Sequence, residues 1–415
     1  MSNRRAVITG MGAITPVGLN VADTWQSLVA GRSGVRTVTQ FDISEFPTKF
    51  AAEVRDFDPC NYMDFKSARR TARFTQFSVA ATQEAVRASA LDFSKEDMTR
   101  VGISLGTAIG GILVIEEQIR IFSEKGYRRI NPTVLPILLA NSPACHVAIS
   151  LGVKGPTTSP VAACATGVVA VGEALRHLQS GRVEVMLAGG SDAAVSPLGM
   201  AAFARIGATS TRNDEPEKAC RPFDAERDGT VMGEGAVVLT METLDHARRR
   251  NAPILAEVLG FGLTEDAYHI AAPDPTGDGA ARAMSLALAD AGLSPDDVDY
   301  IVPHGTGTPL NDVAETRACR TAFGERAYRI PISSNKSVLG HMLGAAGAVS
   351  TMVAVQAIRE GIMPPTINLE HPDPDCDLDY VPRTAREARV DVAIANGFGF
   401  GGQNATVVVR GVDER

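Results

Sequence analysis

CATGVVAVGEALRHLQSG (164–181) lies without gaps over GAAGAVSTMVAVQAIREG (344–361), matching Ala165 to Ala345, Gly167 to Gly347, Val169 to Val349, Ala174 to Ala354 and Gly181 to Gly361. Other pieces recur with it. A helix, a short acidic turn and a strand ending in Gly-Thr occur at 80–107 and again at 281–306, and AGGSDA (188–193) is echoed by FGGQNA (400–405). Short apolar strands such as RVGISLG and VEVMLAGG alternate with longer helical stretches such as ARFTQFSVAATQEAVRASAL. The expectation is an α/β protein with buried sheets, built from two similar halves, 1–252 and 253–415. The first half carries Cys164 where the second carries Gly344, so a duplication with one nucleophile implies one active site shared between the halves.

A chain of 415 residues, 45% hydrophobic and 21% charged, can bury a large core. Its formal net charge of −8 argues against a general nucleic-acid binder, whose footprint would be basic. The six cysteines show no CxxC pair and no regular spacing, so neither a disulfide scaffold nor a zinc site is expected, and a reducing cytoplasm fits best. The apolar run in MSNRRAVITGMGAITPVG is broken by Thr9, Gly10 and Gly12, which fits neither a signal peptide nor a membrane span.

Glycines cluster at expected strand ends, in GTAIGG, AGGSD, HGTGT and GFGFGG, where backbone turns sharply or approaches a ligand. Cys164, in VAACATG, stands just before a helix, whose dipole and free N–H groups would stabilise a thiolate. Its neighbours Ala163 and Ala165 are small and leave room for a substrate. His304 opens HGTGTPLND after the apolar strand DYIVP, at the end of a strand where α/β proteins place their sites. His341 follows Lys336 in SSNKSVLGHMLGAAG, ahead of the helix that repeats the Cys164 helix, so the duplication would bring it towards the nucleophile. GMGAIT (10–15) has Thr15 at the third glycine position of a dinucleotide loop, and GGSDA has Ala193 at the second glycine of a hydrolase elbow. HPDPDCDLD (371–379) gathers metal-ligand residue types, but its two prolines point to an exposed turn, and no metal is expected.

Taken with STRNDEP, RPFDAERDGTVMGEGA, NKSVLGHMLGAAGA, PPTINLEHPDPDCDLDYVP and GFGFGGQN, these motifs resemble the β-ketoacyl acyl-carrier-protein synthases of the thiolase superfamily over essentially the whole chain. The resemblance is closest to synthase II of bacterial fatty acid synthesis. It implies a thiolase-like duplicated five-layer α/β/α/β/α fold, a homodimer, no cofactor, and elongation of an acyl chain by decarboxylative Claisen condensation with malonyl-acyl carrier protein. Carried over, Cys164 is the acylated nucleophile, with an oxyanion hole from its own N–H and that of the gating residue Phe400. His304 and His341 hold the malonyl thioester carbonyl, and Lys336 organises the charges around them. Thr306 and Thr308 bind the pantetheine arm, Ile109 and Phe203 line the acyl pocket, and Asp312 and Glu315 support the site. Carrier docking falls to the basic run Lys66, Arg69, Arg70 and Arg73, with Arg128 and Arg129 as a second cluster. Two positions depart from the family: Ser350 stands where a glutamate usually partners the lysine, and Val169 where many members carry histidine. Both are compatible with a ketosynthase serving a specialised polyketide or lipid product. A thiolase would need a second cysteine where this chain has GFGFGGQN, and a non-catalytic chain-length-factor-like subunit would lack Cys164.

Overall fold

Apolar runs that alternate with amphipathic stretches must bury strand faces under helices. A computed structural model of the chain, describing residues 4–412, shows how. Nine strands, β1 (Ala6–Ile14), β2 (Val101–Gly106), β3 (Thr157–Thr158), β4 (Val185–Asp192), β5 (Gly235–Thr243), β6 (Ala256–Glu265), β7 (Tyr300–Val302), β8 (Val392–Phe398) and β9 (Gln403–Arg410), form one sheet. Their order is β3-β2-β4-β5-β1-β6-β9-β8-β7. The seam is β1 against β6, antiparallel, with Ala6 opposite Val258 and Ile8 opposite Ala256. Outward from it, β1, β5, β4, β2 and β3 on one side mirror β6, β9, β8 and β7 on the other. The missing fifth member is Ile332, which bridges Ile301 of β7 in parallel. Directions repeat too: β4 runs parallel to β2 as β8 does to β7, and the inner pairs of both halves are antiparallel.

Five layers follow from which apolar faces meet. On the outer face of the first half, Phe74, Phe77, Ala81 and Ala85 of α1 (Arg73–Ala88) pack with Ile103, Leu105 and Val238. On the outer face of the second, Met284, Ala287 and Leu288 of α3 (Asp278–Ala291), with Ala318 of α4 (Pro309–Phe323), pack with Ile301, Ile394 and Val408. Between the halves lie the repeated segments themselves, α2 (Thr166–Gln179) and α5 (Ala346–Glu360). Their Val168, Leu175, Val349 and Val353 join one core with Met186 and Leu239 from the first half and Val302 and Val407 from the second. The two helices touch backbone to backbone. A Cβ on Gly167 would lie 2.4 Å from the Ala348 nitrogen, and one on Gly347 would lie 2.5 Å from that of Val168. This reciprocity is what the matched glycines of the repeat encode.

One expected equivalence is corrected. Sheet position pairs β4 with β8, so VEVMLAGGSD (183–192) corresponds to VDVAIANGFG (390–399). FGGQNA instead begins in the turn joining β8 to β9, and its likeness to AGGSDA is one of glycine content. The contacts agree with the new register: a Cβ on Gly190 would meet the Gly344 carbonyl at 2.3 Å, and one on Gly397 would meet the Cys164 carbonyl at 3.5 Å. No helix among the described residues is long and apolar enough to cross a membrane.

Candidate active site

Each middle helix is entered through a 3₁₀ turn, Ala163–Ala165 before α2 and Leu343–Ala345 before α5. Ala163 (φ 44°) and Leu343 (φ 50°) are both held in the left-handed region, which costs non-glycine residues about 1–3 kcal/mol and marks positions that the surroundings overdetermine. In the first half the strained turn delivers Cys164. The sulfur is buried, and the N–H groups of Cys164 itself and of Phe400 are placed to stabilise negative charge on it.

His304 leaves the end of β7, and His341 sits where residue 341 bridges Met232. The two buried rings are 5.4 Å apart, centroid to centroid, at 83°. One side-chain atom each of Cys164, His304 and His341 lies within 4.8 Å of the others. Leu343 N–H donates to His341 Nδ1 at 3.3 Å. The neutral ring therefore carries its proton on Nε2, which leaves Nε2–H as its free donor. His304 Nδ1 is buried with no hydrogen-bond partner, and the residue's backbone N–H donates to Glu315 Oε1 at 2.8 Å.

Charges set the resting state. Burial, then the Lys336 cation, hold both imidazoles well below their ordinary value, with His341 adding to the effect on His304. Both are neutral at pH 7. Burial pushes the Cys164 thiol up to about 12, against the pull of Lys336 and of the two N–H groups. The expectation of a helix-stabilised thiolate is thus corrected: the resting thiol keeps its proton, because desolvation outweighs the helix terminus. Cys, His and His together are also a donor set for zinc. The cation at Lys336 that lowers proton affinity at all three works equally against a divalent ion.

Lys336 is fully buried, and burial lowers its value while Glu315 and Asp312, among others, support its charge. Glu315 accepts from the N–H groups of His304 and Gly305, and Asp312 from those of Phe223 and Gly307, so these carboxylates pin the HGTGT turn. Ser350 is fully buried and accepts from Asn335 Nδ2 at 3.4 Å, while Val169 lies in the middle-layer core. A cavity of about 430 Å³ opens on Cys164, His304 and His341, with Thr306, Thr308 and Phe203 also on its walls. Thr306 and Thr308 share a hydroxyl contact of 2.9 Å, and the Phe203 and Phe400 rings stack 6.1 Å apart at the mouth. Ile109 does not line this cavity; its N–H is turned to Asp192 and the residue is 38% exposed.

Residues 3–247 match the family described as "Beta-ketoacyl synthase, N-terminal domain", and residues 255–370 match its C-terminal domain. The chain belongs to the β-ketoacyl synthase family. It is 48% identical to a 3-oxoacyl-(acyl-carrier-protein) synthase 2 of Coxiella burnetii, over 99% of each chain. The corresponding protein of Vibrio harveyi is 43% identical over 100% of each. Among solved structures, the ishigamide ketosynthase/chain length factor covers 99% of this chain and all of its own, at TM-score 0.94 and 36% identity. A type II polyketide acyl-carrier protein in complex with its ketosynthase, bound to the hexaketide, has TM-score 0.92 and 33% identity, with the same coverage.

In this β-ketoacyl synthase, the residues expected to dock a carrier separate into two kinds. Lys66, Arg69 and Arg70 are exposed and, with Phe65, line a surface pocket; no ion pair holds them among the described residues. Arg128 and Arg129 are exposed as well. Arg73 is different. Its guanidinium makes a two-pronged ion pair with buried Glu234 at 2.7 and 3.1 Å and donates to the Val54 carbonyl at 2.6 Å, which makes it a structural residue. Sequence reasoning also passed over Asp192, at the end of β4. Its buried carboxylate accepts four hydrogen bonds, and burial pushes it up to about 6 in spite of them. The available signal was an acid closing an otherwise apolar strand.

Proposed function

We propose that the protein extends an acyl chain held as a thioester on Cys164, using malonyl-acyl carrier protein and giving a 3-oxoacyl-carrier thioester two carbons longer. The observation that carries this reading is the convergence of one buried thiol and two neutral imidazoles on one cavity. In the first step the Cys164 sulfur attacks the acyl thioester, and its proton passes to the departing pantetheine sulfur. The N–H groups of Cys164 and Phe400 hold the carbonyl oxygen as it becomes negative. Malonyl-carrier then enters, with Thr306 and Thr308 binding its arm. As the bond to the carboxylate breaks, carbon dioxide leaves and the electron pair forms an enolate. His341 Nε2–H and His304 donate to the enolate oxygen. Neutral donors suit this task, because they stabilise charge that develops only in the transition state. The enolate carbon attacks the acyl carbonyl, and collapse of the adduct expels Cys164 as a thiolate, which takes up a proton from solvent and so restores the resting thiol.

Burial, reinforced by Lys336, keeps both imidazoles unprotonated, Asp312 and Glu315 fix the HGTGT turn, and Phe203 limits the acyl chain from the cavity wall, with Ile109 on the neighbouring loop. Halves 1–252 and 253–415 each supply one side of the site. Lys66, Arg69 and Arg70, with Arg128 and Arg129, meet the acidic carrier. Between residues 112 and 149, Ile119, Phe122, Tyr127, Leu135 and Ile149 are exposed apolar surface that a second copy would cover in a homodimer. All six cysteines are free, which fits the cytoplasm. Ser350 and Val169 favour a second reading, in which the same chemistry serves a specialised polyketide or lipid product.

Purified protein given medium-chain acyl-carrier protein and then malonyl-carrier protein is expected to gain the acyl mass on Cys164 and then release a 3-oxoacyl product. Absence of both with every carrier offered would favour a non-catalytic partner subunit. A scan of carriers loaded with different acyl chains separates general elongation from the specialised reading.

A further inference from the structure

The two strained turns enter equivalent helices, yet only one faces a substrate. The difference lies in the residue that ends the paired strand. At the end of β8, position 399 is glycine, and a Cβ there would lie 2.6 Å from the Ala162 carbonyl and 3.4 Å from the Cys164 nitrogen. A longer side chain would run into the N–H that stabilises charge at Cys164. Its counterpart at the end of β4, by the register above, is Asp192. There the side chain is present and does what glycine forbids at 399: Oδ2 accepts from Gly344 N–H at 2.7 Å, and Gly344 is the counterpart of Cys164.

Three further donors complete the cradle. Ala108 N–H reaches Oδ2 at 2.8 Å, while Thr107 Oγ1 and Ile109 N–H reach Oδ1 at 2.7 and 3.3 Å. Residue 344 must be glycine here, since a Cβ would lie 2.5 Å from the Ala108 nitrogen and 2.6 Å from Oδ2. The carboxylate therefore fastens three pieces of chain: the end of β4, loop 107–109 and the turn at 343–345. That last turn is the one whose Leu343 N–H fixes the His341 tautomer.

Resting on the ketosynthase reading, we propose that Asp192 is a positioning residue for the condensation. Its carboxylate caps Gly344 N–H, the second half's counterpart of the Cys164 oxyanion donor, and so holds the turn that presents His341 Nε2–H to the enolate. The duplication thus leaves the Cys164 N–H open for the reacting oxygen and closes its counterpart at Gly344 with the protein's own acid. Removing the acid releases Gly344 and Leu343, while the open hole at Cys164 and Phe400 stays intact. The consequence is selective: acylation of Cys164 continues, and enolate formation suffers.

The test follows each half-reaction in wild type, Asp192→Ala and Asp192→Asn. Acyl transfer is read as mass gained by Cys164, and enolate formation as carbon dioxide released from malonyl-carrier protein by the acylated enzyme. Asp192→Ala is expected to keep acylation within about threefold of wild type and to slow carbon dioxide release by about 10–100-fold, the scale for a misplaced catalytic group. Asp192→Asn can still accept from Ala108 and Gly344 through its remaining oxygen, and is expected to recover most of that loss. Equal losses in both half-reactions, or an Asp192→Asn variant as slow as Asp192→Ala, would overturn the proposal, as would carbon dioxide release that Asp192→Ala leaves unchanged. If Asp192→Ala does not fold, Asp192→Asn alone decides: a small loss confined to carbon dioxide release supports the proposal, and a loss shared with acylation, or no loss at all, overturns it. A wild-type protein that carries out neither half-reaction would instead remove the ketosynthase reading.

Discussion

At Cys164 the balance of forces runs against the simplest reading of its position. A thiol at a helix entrance, near a lysine, should ionise early, yet full burial pushes it up to about 12. Alkylation at Cys164, followed by peptide mass so that exposed Cys60 does not interfere, is expected to quicken about tenfold per pH unit between pH 7 and 9, because only the thiolate reacts. A plateau near neutrality would show a resting thiolate instead. The histidines give a second test with a definite sign. Their values lie below the ordinary 6.5, so they stay neutral, and carbon dioxide release by the acylated enzyme should stay level, as pH falls from 7.5 to about 6.5. Lys336→Ala removes the cation that contributes to this depression, so the acid limb of kcat should move to higher pH. The same depression means that the unfolded chain takes up protons first, and stability falls as pH drops below about 6.5. Cys164, His304, His341 and Lys336 were legible because each stands in a glycine-rich or small-residue break at the end of a strand or helix. Their protonation states were not, since these depend on burial among residues distant in sequence. Asp192 escaped for the same reason: its donors come from residues 107–109 and 344.

Among elements, the helix repeat was legible because two helices that touch backbone to backbone must both keep glycine at the contact. Gly167→Ala places a methyl against the backbone of α5, and an unfolding titration should show a loss of about 1–3 kcal/mol, the scale of overpacking. The strand equivalence was misread because glycine content can match without shared topology, and only sheet order separates AGGSD paired with ANGFG from its likeness to FGGQN. Strand β5 and the segment ahead of β2 also share an internal titrating link. The ring of His246, in the short helix after β5, is 2.6 Å from Glu242 through Nδ1 and 2.9 Å from Glu96 through Nε2. Burial lowers its value, but the two carboxylates prevail and raise it above 6.5. Its contribution is therefore complete below about pH 6.5 and fades as pH rises through the folded value. The stability difference between wild type and His246→Gln should shrink between pH 6 and 9, and a difference that grew with pH would contradict the assigned sign.

Over the whole molecule, charge decides where an acidic carrier can land on a chain whose net charge is −8. Repulsion from the bulk of the surface must be overcome by local positive potential, which is why the proposed docking site is the exposed Lys66, Arg69 and Arg70. Sequence could mark the run FKSARRTAR as basic. It could not show that Arg73 turns inward to Glu234, because that partner arrives from the far end of the first half. The two kinds of arginine should fail differently. Arg69→Glu with Arg70→Glu is expected to lower kcat/KM for malonyl-carrier protein by about tenfold or more at low ionic strength, the scale of lost electrostatic steering. That deficit should narrow as salt screens the field, and unfolding should be unaffected. Arg73→Ala leaves the Glu234 carboxylate buried without its cation, and the cost should appear as about 3–5 kcal/mol of stability. If Arg69→Glu with Arg70→Glu proved as unstable as Arg73→Ala, or its kinetic deficit ignored salt, the carrier would have to approach over another part of the surface, and Arg128 and Arg129 would be the next residues to reverse.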